Sequence, residues 1–128
     1  MTGNKLLLDT NIVIELFKGD SAILDFLEKQ EVVYLPATVL GELYLGAYRS
    51  ATVQKKLQEI NFFLINCIVL PTDAVTSESY ALIKTALLNK GKPIPENDIW
   101  IAAIAMQHQL PLYSNDKHFT EVDGIKLL

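Results

Sequence analysis

Residues 5–11 read Lys-Leu-Leu-Leu-Asp-Thr-Asn, an apolar run that stops at three residue types favoured at helix N-caps. From Ile12 to Lys18 the apolar residues recur at helical spacing. The stretch therefore predicts a short strand that leads directly into a helix, with Asp9 at the junction.

The same alternation of short strands and helices recurs along the rest of the chain. Further strands are predicted at Val32 to Leu35, Cys67 to Leu70 and Leu110 to Tyr113, with a candidate last strand at Ile125 to Leu128. Helices are predicted near residues 23–27, 40–48, 52–64 and 74–89, and a buried helix from Asn97 or Asp98 to Met106. This order predicts a three-layer α/β/α fold with a central, mainly parallel sheet. We expect one domain over residues 1–128.

The composition narrows the class of protein. Half of the 128 residues are hydrophobic, which is enough for a real core. No apolar run approaches the roughly 20 residues that span a bilayer, and the run after Met1 to Lys5 is too short for a secretory signal. We therefore expect a cytoplasmic protein with no membrane partner. The single cysteine, Cys67, excludes a disulfide framework or a cysteine metal cluster within one chain, and we expect it to be a small core residue.

The net charge has the wrong sign for an ordinary nucleic-acid binder. Fifteen acidic residues against eleven Lys and Arg give a formal net charge of −4, whereas nucleic-acid-binding domains usually carry a basic patch. Composition alone therefore argues mildly against such a function. The argument weakens if carboxylates cluster around metal ions, because bound cations then reverse the local field.

Four acids fall at positions that a parallel sheet brings together. Asp9 follows the first strand, Asp116 closely follows the Leu112-Tyr113 strand, Asp98 opens the buried helix, and Glu42 lies in the helix after the second strand. Ligands of open parallel sheets bind beyond the carboxyl ends of the strands. The four acids therefore predict an all-oxygen site for Mg²⁺ or Mn²⁺.

Each of the three aspartates also has a simpler explanation. Helix capping alone could account for Asp9, and a favourable interaction with the helix dipole alone could account for Asp98. Asp116 could be a turn residue. Glu42 is harder to explain, because none of the residues three or four positions away is a cation. Its carboxylate needs a metal ion, a raised pKa or access to solvent.

The other titratable residues receive mostly structural interpretations. Asp73 precedes a helix that needs a cap, and we interpret it as that cap. Glu96 is either an outer ligand near Asp98 or a solvated acid. His108 suits the C-terminal end of the buried helix, and His118 lacks a paired ligand spacing, so neither histidine suggests zinc.

Taken together, residues 8–11 (Leu-Asp-Thr-Asn), the Glu42 helix, residues 97–103 (Asn-Asp-Ile-Trp-Ile-Ala-Ala) and residues 114–119 (Ser-Asn-Asp-Lys-His-Phe) resemble a PIN domain over essentially the whole chain. The chain is most similar to the VapC-type toxin ribonucleases of prokaryotic toxin–antitoxin pairs. The resemblance implies hydrolysis of RNA phosphodiester bonds with Mg²⁺ or Mn²⁺. The implied metal ligands are Asp9, Glu42, Asp98 and Asp116, with Thr10, Asn11 and Ser114 as hydrogen-bonding groups around them.

The resemblance also implies partners. Proteins of this type form homodimers and are inhibited by a small antitoxin protein. Two other functions compete with a ribonuclease. A catalytically silent PIN-like module would bind RNA or protein without cleaving it, and usually lacks one or more of the acids. A phospho-accepting signalling domain would need paired acids after the first strand, where this chain has Asp9 alone.

Overall fold

A four-stranded parallel sheet forms the centre of the computed structural model, which describes residues 4–128. Its strands are β1 (Lys5–Leu8), β2 (Val32–Pro36), β3 (Cys67–Leu70) and β4 (Leu112–Tyr113). They lie in the order β3-β2-β1-β4, and every pairing between them is parallel. Met1, Thr2 and Gly3, at the start of the segment considered above as a secretory signal, lie outside the described residues.

Helices connect the strands and cover the sheet. Within residues 4–128 they are α1 (Thr10–Phe17), α2 (Ser21–Glu28), α3 (Ala37–Tyr48), α4 (Val53–Leu64), α5 (Ala74–Asn89), α6 (Glu96–His108) and a 3-10 helix (Lys117–Glu121). Leu6, Leu7 and Leu8 are all completely buried. Because successive strand residues point to opposite faces, β1 is covered on both sides. The predicted three-layer α/β/α fold is confirmed.

The register of the sheet brings β1 and β4 side by side at their carboxyl ends. Leu8 pairs with Tyr113, and the backbone N–H of Asp9 donates to the carbonyl of Tyr113 at 3.1 Å. The next residue after each strand, Asp9 and Ser114, therefore lies at the same edge of the sheet.

Helix α6 is the buried helix that the sequence predicts. Ile99, Ile101 and Ile104 are at most 1 % exposed, as are the alanines between them, Ala102 and Ala103. The helix begins at Glu96, one or two residues earlier than predicted. It ends at His108, and the φ of its C-cap residue, Gln109, is 53°, in the left-handed region. Burial of this helix anchors its first turn, which carries Asp98.

Several boundaries differ from the sequence prediction. Helix α1 begins at Thr10, directly after Asp9, rather than at Ile12. Strand β4 begins at Leu112, because Pro111 has no N–H to donate to a neighbouring strand. The candidate last strand at Ile125 to Leu128 is wrong as a strand: that segment makes one isolated parallel bridge, between Leu112 and Leu127.

Two other predictions concern burial and membranes. Cys67 is half-buried in β3 and packs against the core, and burial raises the pKa of its thiol to about 11. Among the helices of residues 4–128, none is long and apolar enough to cross a bilayer.

Candidate metal centre

Asp9 is the most buried of the four acids, with 3 % of its surface exposed. It is the N-cap of α1, and its Oδ1 accepts the N–H of Thr10 at 2.7 Å. Its Oδ2 accepts the hydroxyl of Ser114 at 2.7 Å. Burial is the main cause that raises the pKa of Asp9 above its ordinary value, while these two hydrogen bonds oppose the shift. The capping role and a place among the acids are thus compatible.

The carboxylate of Glu42, in α3, accepts hydrogen bonds from two uncharged donors. The hydroxyl of Thr10 donates to Glu42 Oε2 at 2.9 Å, and the side-chain amide of Asn97 donates to Glu42 Oε1 at 3.1 Å. Both carboxylate oxygens are therefore oriented by residues far away in the chain. Asn97 is one residue before Asp98, so the same contact joins α3 to the first turn of α6.

Asp98 and Asp116 share a contact with His118. The ring Nδ1 of His118 lies 2.9 Å from Asp98 Oδ2 and 3.0 Å from Asp116 Oδ1. Burial is the main cause that raises the pKa of Asp98, whereas the contact with His118 lowers it. The contact with Asp98 is in turn the main cause that raises the pKa of His118 above its ordinary value.

The loop after β4 is held by hydrogen bonds that start at Ser114. The hydroxyl of Ser114 accepts the N–H of Asp116 at 2.9 Å while it donates to Asp9. Asp116 Oδ1 accepts the N–H of His118 at 2.9 Å and begins the 3-10 helix. Ser114 thus connects Asp9 and Asp116 through one side chain.

The four acids repel one another. The charges of Asp116 and Glu42 both raise the pKa of Asp9, and those of Asp116 and Asp9 both raise the pKa of Asp98. Within the part of the chain that the structure describes, no Lys or Arg forms a salt bridge with any of the four. Apart from the imidazole of His118, the side chains gathered here offer carboxylate oxygens with no Lys or Arg paired to them, and carboxylate oxygens are the donors that a hard divalent cation prefers. The residues present fit Mg²⁺ or Mn²⁺.

Three residues considered from the sequence lie apart from this cluster. Glu96 accepts hydrogen bonds from Tyr80 Oη at 2.6 Å and from Lys84 Nζ at 3.0 Å, so its carboxylate is engaged by α5. Asn11 is exposed, and among the described residues its side chain makes no hydrogen bond to the acids. Asp73 caps α5 by accepting the N–H of Thr76 at 3.1 Å, as predicted.

Sequence reasoning missed His118 and Asn97 as members of the site. His118 has no paired ligand spacing in the sequence, and its partners come instead from a turn and from another helix. The order Asp116-Lys117-His118 does indicate that the histidine lies near the aspartate, because an aspartate that accepts the N–H two residues later folds the chain back on itself.

Comparison with known proteins identifies the family. Residues 6–125 match the model of the PIN domain. The ribonuclease VapC2 of Haemophilus influenzae is 33% identical, with 95% of each chain covered. The chain belongs to the PIN-domain family, as a VapC-type toxin ribonuclease. This VapC-type protein is also 31% identical to the VapC ribonuclease Y4jK of Sinorhizobium fredii, over 96% of this chain and 95% of the relative.

Solved structures agree with the assignment. The chain superposes on VapBC2 from Rickettsia felis, solved bound to a DNA fragment from its promoter, with a TM-score of 0.91 and 26% identity. The match covers 97% of each chain. The family and fold predicted for this VapC-type protein from its sequence are confirmed.

Proposed function

We propose that this ribonuclease hydrolyses RNA phosphodiester bonds with Mg²⁺ or Mn²⁺ held by Asp9, Glu42, Asp98 and Asp116, and that residues 1–128 form a single PIN-like nuclease domain. The observation that carries the proposal is the mutual repulsion of the four acids at one edge of the sheet, with no Lys or Arg paired to them in residues 4–128. Such an arrangement is costly unless cations compensate it.

The side chains around the acids orient them. Thr10 and Asn97 fix both oxygens of Glu42, and Ser114 fixes Oδ2 of Asp9. Groups held in this way keep ligand oxygens in fixed positions and reduce the reorganisation needed for binding. The chemistry that a divalent ion supplies when bound is activation of water and neutralisation of charge on the phosphate. No side-chain nucleophile is needed.

The acids also explain how an acidic protein can act on RNA. Without cations, the carboxylates of this site would repel a phosphate backbone. The net charge of −4 makes cation binding a condition for substrate binding as well as for hydrolysis. We therefore expect RNA to bind weakly to the metal-free protein. We also propose that the enzyme and its RNA substrates are cytoplasmic.

A small antitoxin protein is the proposed inhibitor. An apolar groove of about 750 Å³ lies beside α1, α2 and α4 and is lined by Leu16, Phe17, Leu24, Phe62 and Phe63. Glu28, Glu31 and Glu59 also line it. The groove suits an apolar peptide face with basic residues beside it. A guanidinium carried by the same peptide would be a natural partner for the four carboxylates.

A homodimer is the proposed assembly. Leu45 and Tyr48 on α3 are 57 % and 65 % exposed, and Leu82 and Leu88 on α5 are 61 % and 64 % exposed. Large apolar side chains that are exposed on helix surfaces are commonly buried by a second copy of the chain. Sedimentation of the pure protein at several concentrations tests this assembly.

The competing function is a catalytically silent module that binds RNA or protein. All four acids are present and are linked through contacts with Thr10, Ser114 and His118, which favours the enzyme. The deciding experiment incubates the pure protein with a panel of structured RNAs in Mg²⁺, in Mn²⁺ and in EDTA. Cleavage that requires a divalent ion and disappears in Asp98→Asn supports the proposal. Cleavage in EDTA, or none with any ion, contradicts it.

A further inference from the structure

His118 places a ring nitrogen next to one oxygen of each of two carboxylates in the site. Its Nδ1 lies 2.9 Å from Asp98 Oδ2 and 3.0 Å from Asp116 Oδ1, and one donor atom from each residue lies within 4.8 Å of the others. The carboxylates are mostly shielded, with 14% and 22% of their side chains exposed, whereas half of the imidazole is exposed.

The two short distances match the spacing of adjacent ligands around one small ion. Ligands bound octahedrally at about 2.1 Å stand about 3.0 Å apart when they are neighbours in the coordination shell. Nδ1 of His118 has this spacing to both carboxylate oxygens. The distances from Nδ1 to both oxygens are therefore compatible with one ion bound by all three residues.

The position of the ring is set by the backbone around it. Asp116 accepts the backbone N–H of His118 at 2.9 Å, and Phe119, the next residue, is completely buried. The histidine is thus anchored on both sides, and its ring is directed at Asp98 in α6. A ligand held in this way loses little conformational freedom on binding.

We propose that His118 Nδ1 is a ligand of a divalent ion shared with Asp98 and Asp116, and that this nitrogen gives the site a preference for Mn²⁺ over Mg²⁺. The inference rests on the proposed metal-dependent function. Mg²⁺ strongly prefers oxygen ligands, whereas imidazole is a good ligand for transition-metal ions. Replacing one oxygen donor by this nitrogen should therefore favour Mn²⁺ selectively.

The opposite possibility is that His118 only occupies the place of a cation. A protonated ring between two carboxylates would balance their charge in the metal-free protein and would have to leave when an ion binds. In that case, removal of the ring should strengthen metal binding. The two roles therefore predict opposite changes in affinity for the same substitution.

The test measures metal binding directly, with Mn²⁺ and Mg²⁺ as the probes. The variant is His118→Gln, which keeps the backbone N–H bound by Asp116 and offers an oxygen in place of the nitrogen. The matched control is His108→Gln, because His108 is exposed at the end of α6. Calorimetry gives both affinities, and electron spin echo envelope modulation of bound Mn²⁺ reports a directly coordinated imidazole nitrogen.

We expect the wild type and His108→Gln to show nitrogen modulation and His118→Gln to lack it. The ratio of Mn²⁺ to Mg²⁺ affinity should fall at least about tenfold in His118→Gln alone. Absence of the modulation in the wild type, or equal or tighter Mn²⁺ binding by His118→Gln, would overturn the inference.

Asp98→Asn separates this outcome from failure of the proposed function. If Asp98→Asn loses Mn²⁺ while His118→Gln retains it, the acidic site stands and only the histidine ligand is wrong. If neither substitution changes Mn²⁺ binding, or the wild type binds none, both the ligand and the metal site are wrong.

Discussion

The hydroxyl of Ser114 lies 2.7 Å from Oδ2 of Asp9, although the two residues are 105 positions apart in the chain. The contact follows from the sheet, because each residue comes immediately after one of two paired parallel strands. It is a charge-assisted hydrogen bond to a buried carboxylate, and such bonds strongly favour the ionised form.

We therefore expect Ser114→Ala to weaken the site. Loss of the donor should raise the pKa of Asp9 further, so the acid limb of the pH–rate profile should move to higher pH. Metal affinity should fall by about tenfold or more. Ser77→Ala is the control, because Ser77 donates only to a backbone carbonyl in the cap of α5. An unchanged profile in Ser114→Ala would mean that the contact is not maintained in the working enzyme.

The second prediction concerns pH and the metal-free protein. The pKa of Asp98 in the folded chain is raised above its ordinary 3.8, so above that pH the folded state binds more protons than the unfolded chain. The free energy of unfolding then decreases as pH rises through the raised pKa. Asp98→Asn removes this contribution. We expect the melting temperature of Asp98→Asn, relative to that of the wild type, to increase between about pH 4 and pH 7.

Thermal unfolding in EDTA at several pH values measures this difference. A relative melting temperature of the variant that falls as pH rises would mean that the carboxylate of Asp98 stabilises the metal-free protein. Asp98 would then serve α6 as a first-turn acid rather than contribute to repulsion within the site.

Much of the fold and of the acid cluster is predictable from the sequence, for identifiable reasons. Short apolar runs separated by helical patterns allow few folds besides a parallel sheet with helices on both faces. Because the carboxyl ends of such strands meet at one edge of the sheet, the sequence alone predicts that Asp9 and Asp116 lie close together. The apolar run from Ile99 to Met106 likewise indicated that Asp98 is anchored by a buried helix.

The contacts of the remaining polar residues could not be predicted in the same way. Asn97 reaches Glu42 across 55 positions, and His118 reaches Asp98 across 20. Neither contact leaves a periodic pattern, because each depends on how two elements cross and on one side-chain rotamer. The segment near Leu127 differs from its prediction for a related reason: its apolar residues predict a strand, but within residues 4–128 it forms only one bridge, to Leu112.

The third prediction concerns stabilisation by ions. A ligand that binds only the folded state raises the free energy of unfolding by mass action, by about 2.7 kcal/mol at one hundred times its Kd, and so raises the melting temperature. We expect Mg²⁺ or Mn²⁺ to stabilise the wild type and to stabilise Asp9→Asn and Asp98→Asn much less. Both variants should also fail to cleave RNA. Equal shifts in all three proteins would indicate nonspecific binding to an acidic surface, for which Ca²⁺ at the same concentration is a useful comparison.

The last prediction concerns Glu42, whose carboxylate accepts hydrogen bonds from Thr10 at 2.9 Å and from Asn97 at 3.1 Å. These uncharged donors give Glu42 partners but leave its negative charge uncompensated by any Lys or Arg among the described residues. We expect Glu42→Gln to fold and to lose activity by orders of magnitude, because the substitution removes the charge and keeps the shape.

Thr10 and Asn97 donate to different oxygens of Glu42, and glutamine has an NH2 group in place of one of them, so in Glu42→Gln one of these two donors loses its acceptor. High Mn²⁺ should partly restore Glu42→Gln by mass action. If Glu42→Gln cleaves RNA at the wild-type rate in limiting Mg²⁺, Glu42 is not a ligand, and its contacts with Thr10 and Asn97 serve only to join α3 to α1 and α6.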